Sequence, residues 1–333
     1  MQNGKLLTIA IPTYNRKEYL INCLKSIFIQ YTDEIEIVVI DNSSDYNINQ
    51  FLQTNLENLE RYNIRIVRNV VNIGANANIL RCFEFCATKW LYIIGDDDVL
   101  CYGMLKELLD DIVMYSSATC IHYKWYPENQ WSNNRPLITV GLLQFLDKIE
   151  SISKVLFISS NVYNTEKLKN HIQIGYQLIT CNAAHLAVLI SSLFNDSESI
   201  VVLSDKKIVK NGYYTLPEEK KWETYIFYRD IRLLLDLKLD RTSKMVLFST
   251  ILNSFPIKNI LFSLLLKYSS DKDKHAFLAD LEKAISYWRI YNKQMNKRFY
   301  LVTIRILFRN HLILNILSNN ILIIKKNIKK WNS

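Results

Sequence analysis

The sequence predicts an α/β fold: a mixed, mostly parallel sheet flanked by helices, followed by a helical C-terminal extension. Three observations carry this. Short apolar runs alternate with helically periodic segments through the first 126 residues. A polar loop follows each of the first four runs. Beyond Trp222 the pattern turns almost entirely helical.

Leu6 to Pro12 is a near-continuous apolar run, as expected of a strand buried on both faces. Lys17 to Gln30 places Tyr19, Leu20, Cys23, Leu24, Ile27 and Phe28 on one helix side. Ile35 to Ile40 (IEIVVI) reads as the second strand, Asn49 to Arg61 as a helix and Ile64 to Arg68 as the third strand. Ala77 to Thr88 is a helix, Trp90 to Ile94 the fourth strand, Met104 to Tyr115 a helix and Thr119 to Tyr126 another strand. This alternation predicts parallel pairing with helices on both faces. From Gly141 the rhythm changes. Leu142 to Ile149 and Cys181 to Phe194 read as helices, and Ser159 to Asn164 and Ile200 to Ile208 as extended.

Composition narrows the class. Of 333 residues, 49% are apolar and 22% charged, so the chain can build a core and is not disordered. Seven Gly and five Pro leave no long flexible linker. The formal charge is +9, yet residues 283–333 alone hold eleven Lys or Arg and no acid, so the preceding residues sum to a slight negative charge. A basic, apolar tail suits an anionic membrane surface. An ordinary solvated helix face has the same composition, whereas nucleic-acid binding is opposed by the acidic loops elsewhere. Met245 to Leu266 is the nearest approach to a spanning helix but is interrupted by Pro256 and Lys258. LLTIAIPTY at the start lacks the order of a signal peptide, which favours a cytoplasmic location. The six cysteines form no CxxC pair, and read as small buried hydrophobes rather than a zinc site.

In open parallel sheets ligands bind beyond the strand C-termini. The four loops there are Pro12-Thr13-Tyr14-Asn15-Arg16, Asp41-Asn42-Ser43-Ser44-Asp45, Asn69 to Asn76, and Gly95-Asp96-Asp97-Asp98. All are polar, and none carries the G-x-G-x-x-G of a dinucleotide site. Three successive carboxylates repel one another unless a cation joins them. Mg²⁺ or Mn²⁺ suits such a site, binding one or two carboxylates together with substrate phosphates. An acidic helix start without metal is the plainer alternative.

LTIAIPTYNR, EIVVIDNSS, NIGANANILR and YIIGDDDVL, in that order, resemble the family 2 inverting glycosyltransferases of GT-A fold (the nucleotide-diphospho-sugar transferase fold). N-x-G-x-x-x-N followed by Leu-Arg, with GDDD in place of DxDD, is similar to the branch containing abequosyltransferase-like enzymes of O-antigen synthesis. The resemblance covers residues 5 to 126, thins from 127 to 240 and ends there. It implies a transferase domain over 1–240, with a nucleotide-sugar half (1–126) and an acceptor half (127–240), and a basic helical region over 241–333.

The resemblance also implies roles by position. Pro12, Thr13, Tyr14 and Arg16 would line the nucleotide pocket, Asp41 would bond the base, Asn72, Gly74 and Arg81 would lie near the nucleotide, and Asp96 near the ribose. Against D-x-D-D patterns Gly95 replaces the first aspartate and Asp97 becomes the metal ligand, with Asp98 the second choice. Read as a literal D-x-D, Asp96 and Asp98 share the metal. The family's base is usually an Asp at the start of the helix after the acceptor loop. Here His185 is the one titratable group in Cys181 to His185, and a His can serve. It equally suits packing in HLAVLI. His122 to Tyr126 suits either stacking on an acceptor sugar or the core. The implied partners are a nucleotide-diphospho-sugar donor, a glycan or polyprenyl-diphosphate-linked acceptor and, through the tail, the inner face of the cell membrane.

Overall fold

A computed structural model of the chain describes residues 4–126, 135–211 and 230–255. The chain divides into two compact units, Met1–Pro217 and Glu218–Ser333. The basic tail at 283–333, Pro256 and Lys258, and most of the helical pattern beyond Trp222 lie outside the described residues.

In the first unit the strands are β1 (Leu7–Thr13), β2 (Ile35–Asp41), β3 (Ile64–Arg68), β4 (Trp90–Ile93), β5 (Asp98–Leu100), β6 (Cys120–Tyr126), β7 (Leu137–Val140), β8 (Asn161–Asn164) and β9 (Ile200–Asn211). The helices are α1 (Lys17–Phe28), α2 (Ile48–Asn55), α3 (Ala75–Phe85), α4 (Met104–Met114), α5 (Gly141–Ile149), α6 (Thr165–Leu168), α7 (Ile172–Gln177) and α8 (Ala184–Asn195). All nine strands join one sheet in the order β3-β2-β1-β4-β8-β6-β9-β5, with β7 on β9. The run β3-β2-β1-β4 is parallel throughout, as its apolar strands and intervening helices require. The rest is mixed. β6 and β9 pair parallel, while β8 runs antiparallel to both neighbours, and β5 and β7 run antiparallel to β9.

Alternate residues of β1, Leu7, Ile9 and Ile11, share one core with Ile35, Ile37 and Val39 of β2 and with Leu20, Leu24 and Ile27 of α1. Helix α2 adds Ile48 and Leu52, and α4 adds Leu105, Leu108 and Ile112. Helix α3 packs across β1, β2 and β4 and against α7 and α8. Helix α8 is buried from Ala184 to Leu193, which accounts for a segment apolar on all sides.

Most expected elements recur with small shifts at their ends, but the helix expected over Asn49 to Arg61 stops at Asn55: Leu56 is extended, Asn58 enters the left-handed region at φ 52°, and a short 3-10 turn over Leu59–Arg61 follows. Three pieces were not expected from the sequence: β5 begins inside the acidic loop, β7 edges β9, and α6 and α7 fill the stretch before α8. His122, Tyr123 and Lys124 are buried, so this part of the aromatic strand is core and does not face an acceptor. In the second unit, α9 (Arg241–Ser254) starts on an Asp240 cap that accepts from the Ser243 amide at 2.8 Å, and it buries Leu247, Phe248 and Ile251. Among the described residues no helix is long and apolar enough to cross a membrane.

Candidate functional site

Parallel pairing brings the strand ends together. Thr13, Asp41 and Arg68, each the last residue of its strand, lie side by side in register. Asp41 is fully buried; one oxygen accepts from Arg68 Nη1 at 2.6 Å and the other from the Ser44 amide at 3.0 Å. Arg68 also donates to the carbonyls of Ser44 (2.5 Å) and Tyr46 (3.0 Å). Asn15, in the left-handed region at φ 55°, exchanges side-chain and backbone bonds with Asp45, both at 2.8 Å, and its own amide donates to Ser44 Oγ. The first two loops therefore arrive as one braced unit. A ladder of amides braces the third. Asn42 donates to Asn72 Oδ1 (2.8 Å), Asn69 donates to Asn42 (3.0 Å) and Asn78 (2.8 Å), and Asn78 donates to the Ile40 carbonyl (3.0 Å). Such buried amides hold a loop only while every member has its partner.

The acidic loop closes this edge. Asp96 is buried, accepts from Thr13 Oγ1 at 2.7 Å and pairs with Arg16 at 3.0 Å. Arg16 also reaches Asp97 at 2.9 Å, whose side chain stays 42% exposed. Asp98 is buried and accepts from Ser159 Oγ at 2.6 Å. Burial, against the lowering effect of Thr13 and Arg16, raises Asp96 to about 6. Burial, with Asp97 and Asp96 nearby, raises Asp98 to about 7. Gly95 leaves little room for a side chain here. A Cβ on it would stand 2.9 Å from Asp98 Oδ2 and 3.0 Å from Asp97 Oδ1. The turn therefore folds two carboxylates over a bare backbone. Among the described residues no three His, Cys, Asp or Glu form a closed cage. Two neighbouring carboxylates, Asp97 open to solvent and Asp98 buried, fit a divalent cation whose remaining ligands are phosphate and water.

The remaining predicted residues fall as follows. Pro12 is half-buried and Tyr14 is 41% exposed beside Thr13. Asn72 accepts from the Gly74 amide at 2.9 Å, and Gly74 starts α3 at φ +86°, a conformation that favours glycine. Arg81 turns to its own helix, ion-paired with Glu84 and 4.5 Å over the Phe85 ring, so the structure does not bring it to the acidic loop. His185 lies one residue into α8 and is only 4% exposed. Burial lowers it to about 4, against a backbone hydrogen bond with Leu156, and its Nε2 has no partner. The segment before α8 meets the start of α3, where Asn76 donates to the Ile179 carbonyl at 2.9 Å.

Sequence reasoning missed Arg68, the amide ladder as a unit, and Ser159. The first was in view as the last residue of a predicted strand next to Asp41. Ser159 was not, because it reaches the edge only through the antiparallel return of β8 beside β4.

Glycosyl transferase family 2 matches residues 8–177, half of the chain. The abequosyltransferase RfbV of Salmonella typhimurium is 37% identical over 107 residues, 31% of each chain. GlyG, a glycosyltransferase of Streptococcus pneumoniae, is 21% identical over 109 residues, 33% of this chain and 36% of its own. The chain thus matches about a third of the length of these curated relatives. S. aureus TarS 1–349 with UDP-GlcNAc superposes at a TM-score of 0.59 and 18% identity, covering 94% of this chain and 89% of that one. The mannosyltransferase PcManGT from Pyrobaculum calidifontis, with GDP-Man and Mn²⁺, gives 0.53 and 12% identity over 92% and 88%. The matched half is the one that builds the acidic edge, and the chain belongs to glycosyl transferase family 2, with its GT-A fold.

Proposed function

We propose that this protein is a metal-dependent inverting glycosyltransferase that moves a sugar from a nucleotide-diphospho-sugar to a glycan acceptor in cell-surface polysaccharide synthesis. The observation that carries the reading is the Gly95 turn, which gathers the carboxylates of Asp97 and Asp98 beside its bare backbone at the strand edge. Asp97, with Asp98 buried beside it, would hold Mn²⁺ or Mg²⁺, and a cation there would supply positive charge to the departing diphosphate. RfbV supports the polysaccharide setting, and the UDP-GlcNAc and GDP-Man complexes of the structural neighbours support the donor class.

The chain's own residues do the rest. Thr13 and Arg16 fix Asp96 toward the ribose, and Arg16 gives up Asp97 when the diphosphate arrives. A nucleobase over the second strand meets Arg68 and the Ser44 turn first, since both oxygens of Asp41 are already held by them. Pro12 and Tyr14 flank it, and Asn72 and Gly74 close the loop beside it. The acceptor hydroxyl attacks the anomeric carbon from the face opposite the diphosphate, inverting its configuration. A polyprenyl-diphosphate-linked acceptor suits a basic tail whose charge favours the anionic inner face of the membrane. Replacing Asp97 by Ala should abolish turnover with the circular dichroism spectrum and Tm unchanged. Metal-stimulated turnover in that variant would remove the assignment.

His185 is the proposed base: it is neutral at pH 7, while the burial that lowers it to about 4 encloses its Nε2 and opposes protonation. Its burial favours a second reading, in which the chain binds nucleotide sugar without turning it over. Under the first reading His185→Gln lowers kcat by about 100-fold or more at unchanged donor KM. Unchanged kcat would assign the ring to packing.

A further inference from the structure

We propose that Ser159, which lies outside the acidic loop, is the positioning residue that sets this loop's geometry. The inference rests on the reading of that loop as the cation and diphosphate site. Ser159 is fully buried. Its hydroxyl donates to Asp98 Oδ2 at 2.6 Å and accepts from the Gly95 amide at 2.8 Å, so one oxygen spans both ends of the Gly95–Asp98 turn. The turn's own backbone bond, Asp98 amide to Gly95 carbonyl at 3.0 Å, closes the same ring of groups. From below, Tyr92 donates to the Ser159 carbonyl at 2.9 Å.

Ser159 is itself held independently of the acids. The segment before β8 is pinned to the sheet. His122 Nε2 lies 2.9 Å from the Lys154 carbonyl and His122 Nδ1 lies 2.7 Å from Asn161 Oδ1. Asn161 and Ser160 donate to the Phe157 carbonyl at 2.9 and 2.6 Å. His185 hydrogen-bonds the backbone of Leu156 in the same segment. One stretch of chain therefore carries both the brace of the acidic loop and the neighbour of the proposed base. Three carboxylates in sequence have every electrostatic reason to spread apart. Of the described contacts on this turn, Arg16 restrains Asp96 and Asp97 from the solvent side, and Ser159 restrains Asp98 from the core side. A hydroxyl that orients a metal-binding carboxylate is worth about 10- to 100-fold in metal affinity.

The test is nucleoside diphosphate binding by calorimetry across a Mn²⁺ titration, with free Mn²⁺ followed by electron paramagnetic resonance. Wild type, Ser159→Ala, Ser159→Cys and Ser160→Ala are compared. Ser160 is an equally buried neighbour whose hydroxyl serves only the local turn and the His122 side. Ser159→Ala should raise the Mn²⁺ midpoint about 10-fold or more, with metal-free nucleotide binding unchanged. Ser159→Cys, a weaker donor of similar size, should fall between, and Ser160→Ala should leave the midpoint in place. An unmoved midpoint in folded Ser159→Ala overturns the proposal, and so does an equal shift in both alanine variants that tracks Tm. If Ser159→Ala does not fold, the cysteine variant decides in the same way. A wild type whose nucleotide binding ignores Mn²⁺ overturns the functional reading and this one with it.

Discussion

Asp98 begins a strand, lies buried beside two other acids, and is raised to about 7 by that burial. Its ordinary value is 3.8. The folded state therefore holds the proton more tightly than the unfolded chain does. Stability is then greatest on the acid side and declines as pH rises from about 4 to about 7, beyond which the full cost of the buried charge is present. Asp98→Asn removes that cost while keeping an acceptor for Ser159. At pH 8 the variant should melt several degrees above wild type, with the gap closing toward pH 5. A variant less stable than wild type at pH 8 would mean that the carboxylate's bonds outweigh its burial. The same proton competes with a divalent cation, so metal-dependent nucleotide binding should weaken below pH 7.

At the scale of elements, the parallel run β3-β2-β1-β4 does most of the positioning. The shared register puts Thr13, Asp41 and Arg68 in one row and delivers the loops to one edge. Asn42 links that row to the third loop, accepting from Asn69 Nδ2 and the Ile73 amide, both at 3.0 Å. Asn42→Ala removes the acceptor of the Ile73 amide and one of the two bonds at Asn69 Nδ2 and at Asn72 Oδ1, at about 0.5–1.5 kcal/mol per bond lost. Hydrogen exchange of residues 69–74 should speed by at least 10-fold while β1 and β2 stay protected. Unchanged exchange would show that the loop is held by its backbone alone.

This part of the fold was legible because each parallel strand carries a continuous apolar run and each ends in a polar loop. Arg68, Asn69 and Asn78 could be seen as loop and motif residues, but their mutual bonds could not. β5, β7 and the role of Ser159 were hidden for one reason. They depend on antiparallel returns, with β9 and β8, that join residues far apart in sequence and leave no local period. His185 was found for its chemistry, while its burial follows from α8 being enclosed on every side.

Across the molecule, one sheet edge collects groups from two stretches of the chain: donor-side loops between Thr13 and Asp98, and the Lys154–Asn161 segment with the start of α8. The family match ends at residue 177, before α8 and β9. The central claim is sugar transfer from a nucleotide-diphospho-sugar under metal control. The most direct measurement is a panel of UDP-, GDP-, CDP- and dTDP-sugars with Mn²⁺ or Mg²⁺ and a lipid-linked acceptor extract, read by nucleotide release. The account predicts release from one donor class, abolished by EDTA and restored by the cation. Equal release with and without the cation, or none from any donor despite tight nucleotide binding, would contradict it.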